Sequence, residues 1–180
     1  KGDSIDVWAY YNQADEVELW LNEKSLGTKR KQGDDLHIWW RVAYEPGTLK
    51  AVSRKSGQTV LTREIKTAGK ATAIILSADR NSINADGNDL SFVTAKIVDA
   101  DGNLVPNADN LVQFSVTGAG TVIATDNGNE TSMESFQSSD RKVFHGLCLA
   151  VVRSKDNAGN IQLSAKAEGL MDGQVTITSK

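Results

Sequence analysis

The chain has 180 residues, 39% hydrophobic and 24% charged, with a net charge of −3. That balance suits a folded globular protein and excludes a disordered one. Residues 1–68 are close to neutral and residues 69–180 lean acidic, so neither part has the basic excess that a phosphate backbone demands, and nucleic acid is excluded as a partner.

The pattern is strand-like from the start. Ile5, Val7, Ala9 and Tyr11 alternate with their neighbours, and after Asn12-Gln13-Ala14-Asp15 the alternation resumes as Val17, Leu19 and Leu21. Two period-two runs around a four-residue polar connection predict a hairpin. Asn22-Glu23-Lys24-Ser25 turns into Leu26-Gly27. Ile38, Trp40, Val42 and Tyr44 alternate again up to Glu45-Pro46-Gly47, a pair suited to a tight turn. Leu49 to Val52 and Val60 to Ile65 supply two more strands around Arg54 to Gln58. Thr67-Ala68-Gly69-Lys70 is a linker by composition.

Beyond it aromatics become rare and Asp-Gly and Asn-Gly signals multiply. Ala73 to Leu76, Leu90 to Val98, Val112 to Val116, Thr121 to Ala124, Leu147 to Val152, Ile161 to Ala167 and Val175 to Thr178 read as strands. Short strands with turn chemistry between them predict an immunoglobulin-like sandwich. The expected architecture is all-β: two tandem immunoglobulin-like β-sandwich domains, residues 1–68 and 69–180. The start at Lys1, without methionine, reads as the start of a fragment. No apolar run approaches the ~20 residues of a membrane span, so no membrane partner is expected.

No residues assemble into a catalytic pattern. The two histidines, His37 and His145, fall in different predicted domains, and no metal-ligand spacing or Gly-x-Ser-x-Gly is present. The expected sets of catalytic, metal and cofactor residues are empty. Asp99-Ala100-Asp101-Gly102-Asn103 opens like a calcium loop, but Leu104 and Asn110 stand where that loop needs glycine and glutamate, so it reads as a turn on Asp101-Gly102. Cys148, the one cysteine, lies in an apolar run and reads as a small buried hydrophobe.

The tryptophans are more informative. A hairpin centred on Gln13-Ala14 makes Trp8 face Trp20, with Ala9 facing Leu19 and Val7 facing Leu21 on the core side. Trp39 and Arg41 oppose the Ile38-Trp40-Val42-Tyr44 face. Trp8, Trp20 and Trp39 are therefore expected outside the first sandwich, to stack on sugar rings or to form the buried face of an interdomain contact.

Residues 7–28, with Asp15-Glu16-Val17-Glu18-Leu19-Trp20-Leu21-Asn22-Glu23-Lys24-Ser25-Leu26-Gly27, resemble the C-terminal immunoglobulin-like domain that follows the catalytic barrel in bacterial family 2 glycoside hydrolases. Glu23 stands where that pattern has glycine. Tyr44 to Val52 resembles the same domain's later signature. Ala85 to Val93, Asp99 to Ala108, Asp126 to Asn129 and Gly146 to Ser154 resemble the domain after it. The resemblance implies a β-galactosidase-like parent, exported to the periplasm or beyond, whose two catalytic glutamates lie on a barrel upstream of Lys1. No catalytic residue is carried over, and the glutamates of this chain are expected to be solvated. The implied partner is that barrel, with carbohydrate as a further candidate. The first domain is expected to lack its initial segment. An adhesin-like array of immunoglobulin domains is the remaining alternative.

Overall fold

A computed structural model describes residues 2–180. Its contacts divide the chain into two units, Lys1–Thr67 and Ala68–Lys180. Among the described residues every regular element is a strand.

The first unit holds β1 (Ser4–Tyr10), β2 (Glu16–Leu21), β3 (Lys24–Lys29), β4 (His37–Ala43), β5 (Thr48–Lys55) and β6 (Gln58–Lys66). They form a two-stranded sheet, β1-β4, and a four-stranded sheet, β3-β2-β5-β6. Alternation along the strands sets the two faces of each sheet. Val17, Leu19, Ile38, Trp40 and Val42 are buried, and Val7, Ala9, Leu21, Leu49 and Ala51 pack against them.

The expected hairpin between β1 and β2 does not form. β1 pairs with β4, in a register that sets Val7 beside Trp40, Trp8 beside Trp39 and Ala9 beside Ile38. β2 pairs with β3 and β5. The connection from Tyr11 to Asp15 passes from one sheet to the other. Its far end is fixed to the opposite sheet, where the Asp15 N–H donates to the Arg54 carbonyl (2.7 Å) and the Asp15 carboxylate accepts from the Ser56 N–H (2.6 Å). Alternation specifies which side of a strand meets the core, and it is identical for a hairpin and for an arch between facing sheets.

Two tight turns complete this unit. Ser56 and Gly57 both have positive φ (49° and 78°), as does the pair Asn22 and Glu23 (48° and 66°). Such turns match the twist of the strands they join. Asn22 then braces the Pro46-Gly47 turn: its Nδ2 donates to the Pro46 carbonyl (3.0 Å) and its Oδ1 accepts from the Thr48 N–H (2.9 Å). A Cβ on Gly47, at φ 139°, would collide with the Asn22 side chain.

The second unit holds β7 (Ala73–Ala78), β8 (Ser82–Ile83), β9 (Leu90–Val98), β10 (Leu111–Gly118), β11 (Gly120–Asp126), β12 (Asp140–Lys142), β13 (Leu147–Ser154), β14 (Gly159–Lys166) and β15 (Gly173–Ser179). One sheet runs β12-β10-β14-β15-β8 and the other β11-β13-β9-β7. Both are antiparallel apart from the short β15-β8 pair. Val93, Ala95 and Ile97 of β9, Cys148, Ala150 and Val152 of β13, and Ile161, Leu163 and Ala165 of β14 share one buried cluster. This is the immunoglobulin-like sandwich that the alternating pattern predicts.

Asp99 closes β9. Its carboxylate accepts from the backbone N–H groups of Gly69 (2.7 Å), Asp101 (3.0 Å) and Asn103 (2.8 Å) and from Asn103 Nδ2 (3.1 Å). The Gly102 N–H donates to the Asp99 carbonyl (3.1 Å). The segment is a turn, with its first carboxylate engaged by the chain's own donors.

Candidate functional site

The outward face of β1-β4 is the candidate. Successive outward pairs are Asp6 beside Arg41, Trp8 beside Trp39 and Tyr10 beside His37. Period two brings all six side chains to one surface. Trp8 is 57% exposed, Tyr10 64% and Trp39 48%, so three large rings on one small sheet remain in solvent. The His37 ring stacks on Trp8 at 4.8 Å with 20° between planes, and Tyr10 lies 4.9 Å from His37. At one end Arg41 grips Asp6 through two bonds, Nε to Oδ1 and Nη2 to Oδ2, both 2.8 Å. That hydrogen bonding holds the Asp6 carboxyl below its usual range against the cost of desolvation. The arginine is thereby held beside the ring row.

Lys29 borders the row on the β3 side. Its Nζ donates to the Trp39 carbonyl (2.7 Å) and lies 5.4 Å from the centre of the Trp39 ring and 5.5 Å from that of Trp40. A groove of about 470 Å³ opens there, walled by Lys29, Gln32, Asp34, Asp35, His37 and Trp39 among others. An aromatic wall with polar groups on both sides can take a flat, hydroxylated ligand or a protein loop.

Of the tryptophans singled out by the sequence, Trp8 and Trp39 belong to this face. Trp20 does not. It is half-buried on the outer side of the other sheet, where Lys50 Nζ lies 5.2 Å from its ring centre. Beside it Glu18 accepts from Ser25 Oγ (2.6 Å) and from Arg54 Nη1 (2.9 Å). Hydrogen bonding from Ser25, and then from Arg54, lowers the Glu18 carboxyl, against the cost of desolvation. Glu16 is paired with Arg30 at 2.7 Å. These two glutamates are ion-pair partners in the sheet rather than freely solvated groups.

Sequence reasoning missed Tyr10 and His37 as parts of this face, because the register that aligns them belongs to the β1-β4 pair. It also missed Arg141, which is fully buried in the second unit. Arg141 Nη2 donates to the carbonyls of Thr125 (2.7 Å) and Ser135 (2.7 Å), and Nε donates to Thr125 Oγ1 (3.2 Å). Glu134 Oε2 lies 3.6 Å from Nη1. An arginine between two strand-like runs carries no periodic signal, and only the folded loop shows what it holds. Nearby, burial pushes the Cys148 thiol up to about 12.

Comparison with known proteins gives these geometries a family. Residues 74–176 match the family described as glycoside hydrolase family 2 C-terminal domain 5. Residues 2–61 match a domain of unknown function, DUF4982. The β-galactosidase BoGH2A of Bacteroides ovatus is 50% identical over 99% of this chain, which spans 21% of that protein. A crystal structure of a glycosyl hydrolase family 2 member from Bacteroides cellulosilyticus superposes with a TM-score of 0.93 at 41% identity, covering 100% of this chain and 23% of that one. A β-glycosidase from Bacteroides vulgatus superposes with a TM-score of 0.93 at 29% identity, covering 99% of this chain and 23% of that one. The match over residues 74–176 takes in most of the second sandwich, and the chain belongs to the C-terminal domain 5 family of glycoside hydrolase family 2.

Proposed function

We propose that this chain is the non-catalytic C-terminal accessory region of a secreted β-galactosidase-like hydrolase, and that it docks on the catalytic barrel of its own polypeptide through the β1-β4 face. The observation that carries the docking is the exposed row of Trp8, Tyr10 and Trp39. Contiguous exposed aromatics of this kind are typical of surfaces with a partner. The chain spans about a fifth of its curated relative's length, so a large body of protein is available to cover them. In the full-length enzyme, replacing Trp8 and Trp39 together by alanine lowers the melting temperature of the catalytic region by about 2–4 °C or more. An unchanged melting profile and unchanged galactosidase activity would refute the docking.

The groove beside Trp39 favours a second reading, in which the same face binds carbohydrate. Here Trp39 stacks on a sugar ring while Gln32, Asp34, Asp35 and Lys29 reach its hydroxyls. Affinity electrophoresis against galactosides and plant polysaccharides separates the two. Retardation that Trp39→Ala abolishes supports binding, and free migration at millimolar sugar leaves docking alone.

A further inference from the structure

The two sheets of the second unit turn unlike surfaces outward. On β10, β14 and β15 the outward residues include Ser115, Thr117, Gln162, Ser164, Gln174 and Thr176. Leu111, at the end of β10, is the one apolar outward residue of these three strands. Thr176 Oγ1 donates to Gln162 Oε1 (3.0 Å), and Gln162 Nε2 donates to Gln174 Oε1 (3.4 Å). This is the solvated face of an antiparallel sheet.

The sheet β11-β13-β9-β7 is different. Register sets Val151 beside Phe92, Leu149 beside Thr94 and Leu147 beside Lys96, with Ile75 on the other side of Lys96. The residues between them, Val93, Ala95, Cys148 and Ala150, belong to the buried cluster, so period two turns this set outward. Ala124 beside Val151 and Asp126 beside Leu149 extend the same face onto β11. Phe92 is 42% exposed and Ile75 46%, and Leu147 is also in solvent. An outward face this apolar, on a sandwich whose other face is almost wholly polar, marks a contact with protein.

We propose that this face of the second unit packs on the same face of a second copy of the chain, about a two-fold axis that runs along the strands between β9 and β13. Two observations select this occupant. The first is charge. Within the face the charged groups are Lys96 and Asp126, and Arg153 stands at its end beside Leu90. Lys96 has no ion pair among the described residues. Asp126 Oδ1 accepts from the N–H groups of Asn127 (2.7 Å) and Gly128 (3.2 Å), which leaves its Oδ2 without a partner among the described residues. One basic and one acidic group, both off the axis, make the face complementary to itself. The two-fold lays β9 over β13 of the other copy and carries each Lys96 toward Asp126 of the other copy. The second is area. Four strands about 4.8 Å apart, with about seven residues each at a rise of about 3.3 Å, span about 19 by 23 Å. With the relief of the side chains that is on the order of the ~800 Å² a side of a stable interface. Stacking two sheets with their strands aligned is also the packing that builds the sandwich itself. The contact is independent of what Trp8 and Trp39 touch.

Sedimentation equilibrium on the full-length enzyme tests it. The enzyme associates as a dimer, and Phe92→Asp raises the dissociation constant about a hundredfold or more, because the two-fold makes each substitution count twice. Val151→Thr, which keeps the shape of the side chain, gives a smaller rise and serves if the aspartate variant is poorly folded. Thr176→Asp, on the polar outward face of the other sheet, leaves the association unchanged. Lys96→Glu and Asp126→Lys each weaken the dimer by about fivefold or more, and the two together regain most of the lost affinity. An enzyme that stays monomeric up to ~100 µM overturns the proposal, as does a dimer indifferent to Phe92→Asp. A double variant weaker than either single one overturns the two-fold arrangement. A monomer whose melting temperature falls on Phe92→Asp overturns the proposal in favour of a contact with another part of the same polypeptide. Loss of the docking reading through Trp8 and Trp39 would leave these constants untouched.

Discussion

At the scale of single residues, backbone conformation and burial decide the outcomes. Glu23 occupies the second position of a turn that requires positive φ, where the resembling family pattern has glycine. Glu23→Gly relieves that strain at some entropic cost, and urea denaturation should show a gain of about 0.5–1 kcal/mol. Gly47→Ala acts in the opposite direction, because its methyl displaces Asn22 and breaks two hydrogen bonds with it. Cys148 is 3% exposed with its thiol raised to about 12, so a thiol reagent at neutral pH labels it only as fast as the second unit opens. A rapid stoichiometric reaction under native conditions would contradict that burial. The alternation around Cys148 was enough to place it inside. The strain at Glu23 was legible only as a departure from a pattern, since φ is a property of the turn and not of glutamate.

At the scale of elements, two polar hubs hold connections that have little apolar surface of their own. Arg141 gathers the carbonyls of Thr125 and Ser135 and so ties the connection from β11 to β12 onto the sandwich. Arg141→Met leaves the buried Thr125 carbonyl unpaired and frees the Ser135 carbonyl, so stability should fall by about 2–3 kcal/mol and protease cleavage should appear within residues 127–139. Asp99 plays the same part for the β9 turn and Gly69. Bonds from the Gly69 N–H first, then from Asn103, hold its carboxyl down at about 2 from an ordinary 3.8. A depressed folded value means the folded state binds fewer protons than the unfolded one. Its stabilising contribution is therefore complete above about pH 4 and is lost as pH falls through about 2. Asp99→Asn should flatten the dependence of stability on pH within that window, measured by denaturation at a series of acid pH values. Strand positions in both units followed from period two. The pairing of β1 did not, because Val7 and Ala9 face inward equally well beside β2 or beside β4.

At the scale of the whole molecule, the chain has two buried clusters that share no residue. The first consists of Val17, Leu19, Ile38, Trp40 and Val42 between a two-stranded and a four-stranded sheet, and the second runs between sheets of five and four strands. Calorimetry of the chain should resolve two transitions, the smaller one first, with Ile38→Ala lowering only that one by removing about 2–5 kcal/mol. A single transition shifted as a whole by Ile38→Ala would show that the two cores melt together. The all-β class, most of the strands and the family resemblance were determined by the sequence itself, because alternation, turn residues and motif order are local. The composition of the aromatic face was decided only by tertiary structure. Trp8 meets Trp39 rather than Trp20, and Tyr10 and His37 join them, because those neighbours arise from pairing between strands far apart in the chain. Leu61 and Ile65 show the same origin: they sit beside Ser53 and Leu49 on the core-facing side of β6 and are still 46% and 70% exposed, because a residue's pattern shows which way it faces, and only the assembled sheets show whether anything lies opposite.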